Sequence, residues 1–135
     1  MPKIDIEILD AGLNSTSDYV AGRPTVYVTL SINGNPITAG ERALVDTGSN
    51  MTMILPAAAF QQSAKRVAQI QTVTDSDEGL TFDAAIQIDG LPNMLSVEVG
   101  TRKDLPYMVL LGRDVLQHYR MICDPLTQQF SLEKP

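Results

Sequence analysis

Cysteine, histidine and positive charge are all scarce in this 135-residue chain, which holds one cysteine, one histidine, and 10 Lys and Arg against 16 Asp and Glu. A single cysteine, Cys123, excludes an intrachain disulfide framework and every multi-cysteine metal site, and it agrees with a reducing compartment. Cytoplasm is therefore the expected setting, with Cys123 read as a small buried hydrophobe. His118 would have to serve any Ser-His-Asp or Cys-His mechanism, yet no flanking signature surrounds it, and it reads as a surface residue. The net charge of -6 offers no electrostatic grip on nucleic-acid phosphates or on an anionic membrane, so neither is an expected partner. No apolar run approaches the roughly 18 residues of a membrane span, and Met1 to Asp10 lacks the basic-then-apolar order of a leader. The acidic residues are scattered without the ligand spacing of a calcium loop, so no metal and no cofactor is expected. The six methionines form no stripe and read as core filler. The length suits one domain over residues 1–135.

What the sequence does hold is a series of short alternating segments. Ile4, Ile6 and Ile8 share one face of an extended stretch, with Lys3, Asp5 and Glu7 on the other. Val26, Val28, Leu30 and Ile32 repeat that pattern, and Asn33-Gly34-Asn35 reverses the chain into a hairpin. The next strand ends in Ala43-Leu44-Val45, apolar on both faces, and stops at Asp46-Thr47-Gly48-Ser49. Pro56 suits the first position of a short helix expected over 57–67. A second hairpin is expected from 69–74 and 80–88, with an exposed acidic tip at Asp75 to Gly79. Further strands are expected at 94–99 and 130–132, and a helix at 113–119. Many short strands with frequent turns and one or two short helices predict an all-β, closed barrel-like domain.

An aspartate set directly after a strand buried on both faces loses hydration when ionised, a cost that needs a use. Two facing carboxylates that share a proton can activate a water against a peptide carbonyl, without a covalent intermediate. The residues after Asp46 suit such a site. Thr47 can bond across to a partner's loop, Gly48 lets backbone approach a substrate, and the Ser49 hydroxyl can donate to the carboxylate. Asp-Thr-Gly also makes an ordinary turn, so the motif alone leaves both readings open.

A second motif, Val109-Leu110-Leu111-Gly112-Arg113-Asp114, follows with Gly112 placed 112 − 46 = 66 positions after Asp46. Together the two motifs resemble the retropepsins, the retroviral-type aspartic proteases, and most of all their cellular and bacterial branch. The resemblance implies the acid-protease barrel, with Asp46 catalytic and the Leu111, Gly112 and Arg113 segment crossing beneath its loop. It also implies that the hairpin between the motifs acts as a flap over a peptide substrate. Substrate contacts would come from Gly48, Asn50, Asp77, Glu78 and Gly79. One catalytic aspartate per chain implies a homodimer. The sequence departs from the viral pattern at Asn50, which stands where viral enzymes carry an acidic partner for the helix arginine, and at the flap, which is acidic instead of glycine-rich.

The expected function is thus a homodimeric aspartic endopeptidase, most active on the acidic side of neutral. The alternatives are a catalytically silent retropepsin-like domain that dimerises or binds peptides, and a β-barrel binding protein in which Asp-Thr-Gly is only a turn.

Overall fold

The computed structural model describes residues 2–71 and 76–135, and side chains outside 70–78. The stretch expected to open the chain as one strand is two, Lys3–Asp5 (β1) and Glu7–Leu9 (β2). They part at Ile6, whose amide donates to Phe130 O at 2.8 Å. The strands that follow are Arg23–Ile32 (β3), Asn35–Val45 (β4), Met53–Ile54 (β5), Arg66–Gln71 (β6), Ser76–Ile88 (β7), Leu95–Thr101 (β8), Val109–Leu111 (β9), Arg120–Asp124 (β10) and Gln129–Glu133 (β11). A 3-10 helix, Pro56–Ala59, and a one-turn α-helix, Arg113–Leu116 (α1), complete the order.

The alternation in β3 does what the period of two requires: Val26, Val28, Leu30 and Ile32 are all buried. Asn33 and Gly34 have φ of 52° and 79°, the positive values of a tight hairpin whose twist matches its strands. They return the chain antiparallel as β4. The large sheet runs β2-β3-β4-β9-β5-β8-β7-β6. β3 pairs with β2 over Arg23 to Thr25 and with β7 over Val28 to Ile32. That second pairing closes β3, β4, β9, β5, β8 and β7 into a six-stranded barrel. Its interior is aliphatic, with Val28, Ile54, Ile86, Ile88, Val109 and Leu111 fully buried. A small sheet of order β1-β11-β10 lies beside it. The fold is the all-β barrel expected from the residue pattern.

Three expectations need correction. The helix predicted over 57–67 is only the 3-10 turn at Pro56–Ala59, because Gln61 takes a φ of 64° that ends right-handed helix, and Arg66 and Val67 already pair in β6. The predicted flap tip is too long, since Ser76 to Gly79 belong to β7 and pair with 68–71; Asp75 itself lies outside the described residues. Cys123 is exposed, because β10 is an edge strand. Its thiol donates to the Tyr19 hydroxyl at 3.2 Å, and the Tyr19 ring stacks on Phe130, the residue opposite Cys123 in β11. His118 is exposed, as read from the sequence. Among the described residues no helix is long and apolar enough to cross a membrane.

Candidate active site

β4 and β9 run parallel, with Val45 opposite Leu111, and the Asp46 amide extends that ladder by donating to Leu111 O at 3.0 Å. The chain then leaves the sheet and folds around its own carboxylate. Gly48 N donates to Asp46 Oδ1 at 2.9 Å, and Ser49 N to Asp46 O at 3.3 Å. Asp46 is half-buried, while Thr47, Gly48 and Asn50 are exposed. The loop therefore presents one carboxylate at the end of an apolar strand, with its backbone open to solvent on the near side.

From beneath, the loop is held by the second motif. A Cβ on Gly112 would stand 2.6 Å from the Met51 carbonyl carbon and oxygen, so the two backbones cross in contact. Only glycine fits that crossing. Arg113 N donates to Ser49 O at 2.8 Å, and the Arg113 guanidinium to Thr47 O at 3.3 Å.

A family model, retroviral aspartyl protease, matches residues 21–122 and so takes in both motifs. The chain belongs to that family. No curated protein is matched. Among solved structures, a foamy viral protease-reverse transcriptase in complex with an RNA/DNA hybrid aligns with a TM-score of 0.50 at 18% identity. The alignment covers 71% of this chain and 12% of that one, and at such identity the likeness concerns the fold.

The loop differs in two details from what its residues led us to expect. The Ser49 hydroxyl was expected to donate to the Asp46 carboxylate; it donates instead to Met51 O at 2.7 Å, because the turn at Asn50 brings that carbonyl back over it. Arg113, with Asn50 in place of an acid, forms no ion pair among the described residues and serves the loop through Thr47 O. Leu111 is fully buried in the barrel.

Two residues carry more of this protease fold than their sequence positions announced. Asp114 accepts from Thr52 N at 3.0 Å, from Thr52 Oγ1 at 2.7 Å and from Val115 N at 2.9 Å. Thr52, fully buried, in turn accepts from Gly112 N at 3.1 Å. Asp114 thus ties α1 to the strand that leaves the Asp46 loop. The Asp at the second position after the motif glycine was the available signal, but its partner lies 62 residues away and only the fold brings them together.

On the solvent side of β4, β9 and β5 sits a second apolar cluster, Met53 and Leu110, with Leu44, Met51, Ala68 and Leu105 packed around it. Ala68 comes from β6, so the β6–β7 hairpin reaches over this cluster. Ala68 stands opposite Gly79, which leaves little side-chain bulk on that part of the hairpin. The side chains of Asp77 and Glu78 lie outside the described residues. The hairpin is moored to β8 by Arg66, whose guanidinium meets both carboxylate oxygens of Glu98 at 2.7 and 3.0 Å, while Lys65 to Asp83 at 3.1 Å ties the start of β6 to β7.

The forked Arg66 guanidinium holds the Glu98 carboxyl below the usual carboxylate range, although the site is open to water. A depressed value in the folded chain means stabilisation that is present above the unfolded carboxyl value and lost as pH falls through the folded one. Glu98→Gln is therefore expected to lower the thermal midpoint slightly near neutral pH, with the gap to the parent closing below about pH 4. Thermal scans of both proteins across pH check this; a gap that widens in acid would remove the mooring.

Proposed function

We propose that the chain is an aspartic endopeptidase that acts as a homodimer, with Asp46 of each subunit supplying half of the catalytic pair. The observation that carries this reading is the single Asp46 carboxylate, set on a loop locked by the Gly112 crossing and placed at the end of the strand that carries Leu44 into the apolar cluster. One carboxylate cannot act as acid and base at once, and a second copy supplies the other.

In the mechanism, water lies between the two carboxyl groups, one ionised and one protonated. The ionised group takes a proton from the water as its oxygen bonds to the peptide carbonyl carbon. The protonated group gives its proton to the carbonyl oxygen, forming a neutral diol. The carboxyl that took the water's proton then gives it to the amide nitrogen, and as the carbon–nitrogen bond breaks one diol hydroxyl passes its proton to the other, now ionised, carboxylate, so that the carbonyl re-forms as a carboxylic acid and the pair again holds one proton. Thr47 would bond across to the partner's loop, and Gly48, Asn50 and Gly79 would hold substrate backbone. Asp77 and Glu78 would favour basic or hydroxyl-bearing substrate positions, and the apolar cluster faces the rest of the peptide. A single domain over 1–135 working in the cytoplasm completes the proposal, the latter resting on the lone cysteine.

One observation favours the second reading, a silent domain that dimerises or binds peptides. The Ser49 hydroxyl is engaged by Met51 O and does not reach the Asp46 carboxylate, which accepts from Gly48 N instead. The experiment incubates the purified protein, at several concentrations, with a peptide mixture from about pH 3 to about pH 8, with and without pepstatin. Cleavage that peaks in acid, falls on dilution and stops with pepstatin supports the enzyme. Peptide binding without cleavage at any pH supports the silent domain.

A further inference from the structure

We infer that Arg113 is a specificity-determining residue, whose guanidinium takes a carboxylate carried by the peptide, the side chain of a glutamate or aspartate close to the bond that is cut. This deepens the endopeptidase reading above and rests on it.

The chain carries 16 acidic residues against 10 basic ones, so a cation left without an acid is uncommon in it. Four of its six arginines, Arg42, Arg66, Arg102 and Arg120, are held in ion pairs. Among the described residues Arg23 and Arg113 are not. Arg23 opens β3 opposite Leu9, and of the two only Arg113 is bonded to the Asp46 loop. The acids of the two motifs are engaged elsewhere. Asp46 accepts from Gly48 N, and Asp114 accepts from Thr52 and from Val115 N. Position 50, next to the Ser49 carbonyl that accepts from Arg113 N, holds a neutral and exposed asparagine.

A guanidinium carries five N–H donors in a planar fork that matches a carboxylate. Arg113 is exposed, and the acceptor its guanidinium meets among the described residues is Thr47 O, at 3.3 Å, longer than most N–H···O bonds. Most of the fork is therefore unspent. Thr47 directly follows Asp46, so a peptide cut at Asp46 passes the fork within a few residues of the broken bond. A peptide laid over the loop also excludes water from the pair, which strengthens a forked bond relative to one made in open solvent. Asp77 and Glu78 would make the opposite demand at their own positions, so the preferred peptide is mixed in charge along its length. A solvated arginine that only braces Thr47 O would give no selectivity for charge.

The probe is a library of short peptides in which each position in turn is fixed as Glu or as Gln, residues of equal size that differ in charge. Binding is measured on the Asp46→Asn protein, which does not consume the peptides, at about pH 6, where a free glutamate is ionised. One position is expected at which Glu binds about fivefold or more tightly than Gln. Adding Arg113→Gln, whose amide can still donate to Thr47 O, should bring that ratio close to one. Arg113→Lys should keep part of it, because it restores the charge without the fork. A ratio near one at every position with Arg113 in place, or a Glu preference that survives Arg113→Gln, overturns the assignment. So does a rise in the dimer dissociation constant of Arg113→Gln with the ratio unchanged, which would give the fork to a carboxylate of the partner subunit. A Glu preference in binding, with no peptide cleaved by the parent, leaves the assignment standing and removes the endopeptidase. Cleavage without the preference does the reverse.

Discussion

Replacing Asp46 with asparagine is expected to abolish peptide hydrolysis, by at least on the order of 10³-fold, while fold and dimer persist. Asparagine keeps the size of aspartate, and its side-chain oxygen can still accept from Gly48 N, the bond that shapes the loop at 2.9 Å. What it loses is the ability to take a proton from water. In the dimer, exchanging both carboxylates for amides also removes their mutual repulsion, so association should be equal to the parent or tighter. An ordinary turn makes the opposite forecast, because asparagine is a good turn residue. Cleavage rate, thermal midpoint and sedimentation are compared for parent and variant. Retained cleavage, in a preparation free of contaminating protease, would take Asp46 out of the mechanism.

Gly112→Ala is expected to have the largest effect on stability. Its φ of -92° suits any residue, so the cost is steric alone. The new methyl would stand 2.6 Å from Met51 C and O and 2.9 Å from Met51 N, which are backbone atoms with no rotamer to move aside. Overpacking in cores costs about 1–3 kcal/mol, and an unyielding neighbour places this case at the upper end, about 3 kcal/mol. A drop of roughly 10 °C in thermal midpoint follows for a chain of this size. Gly12→Ala is the control, because the atoms near its added methyl are the side-chain ends of Asn14 and Asp10, and its effect should stay within about 0.5 kcal/mol. Equal midpoints for the two variants would show that the backbones part without cost. The strand leaving the loop carries Thr52, which also bonds Asp114 and Gly112 N, so any shift at Met51 should disturb activity as well.

The barrel was legible in the sequence wherever one periodicity governed a whole strand. β3 is the clearest case, with every second residue apolar and buried. Ala43-Leu44-Val45 was equally readable, since a strand at the barrel wall beside the second cluster has no polar face. Reading failed where local propensity and tertiary pairing disagreed. The alanines after Pro56 favour helix, but Val67 is drawn into β6 opposite Leu80. β10 was missed because Arg-Met-Ile-Cys-Asp shows no alternation, being a strand by virtue of its five partners in β11. At the candidate site, the motif residues Asp46 and Gly112 were visible by type and spacing. The destination of the Ser49 hydroxyl was not, because it depends on where a turn places one carbonyl oxygen.

The pairing of β1 with β11 has a kinetic consequence. Ile4 sits opposite Leu132, a separation of 132 − 4 = 128 residues, so this contact closes almost the whole chain into one loop. Loop-closure entropy opposes such a contact until the barrel has already drawn the two ends together, and chains rich in distant pairings fold slowly. During synthesis β1 must wait for β11 to be made. The small sheet is accordingly expected to be the last part to protect its amides from hydrogen exchange during refolding.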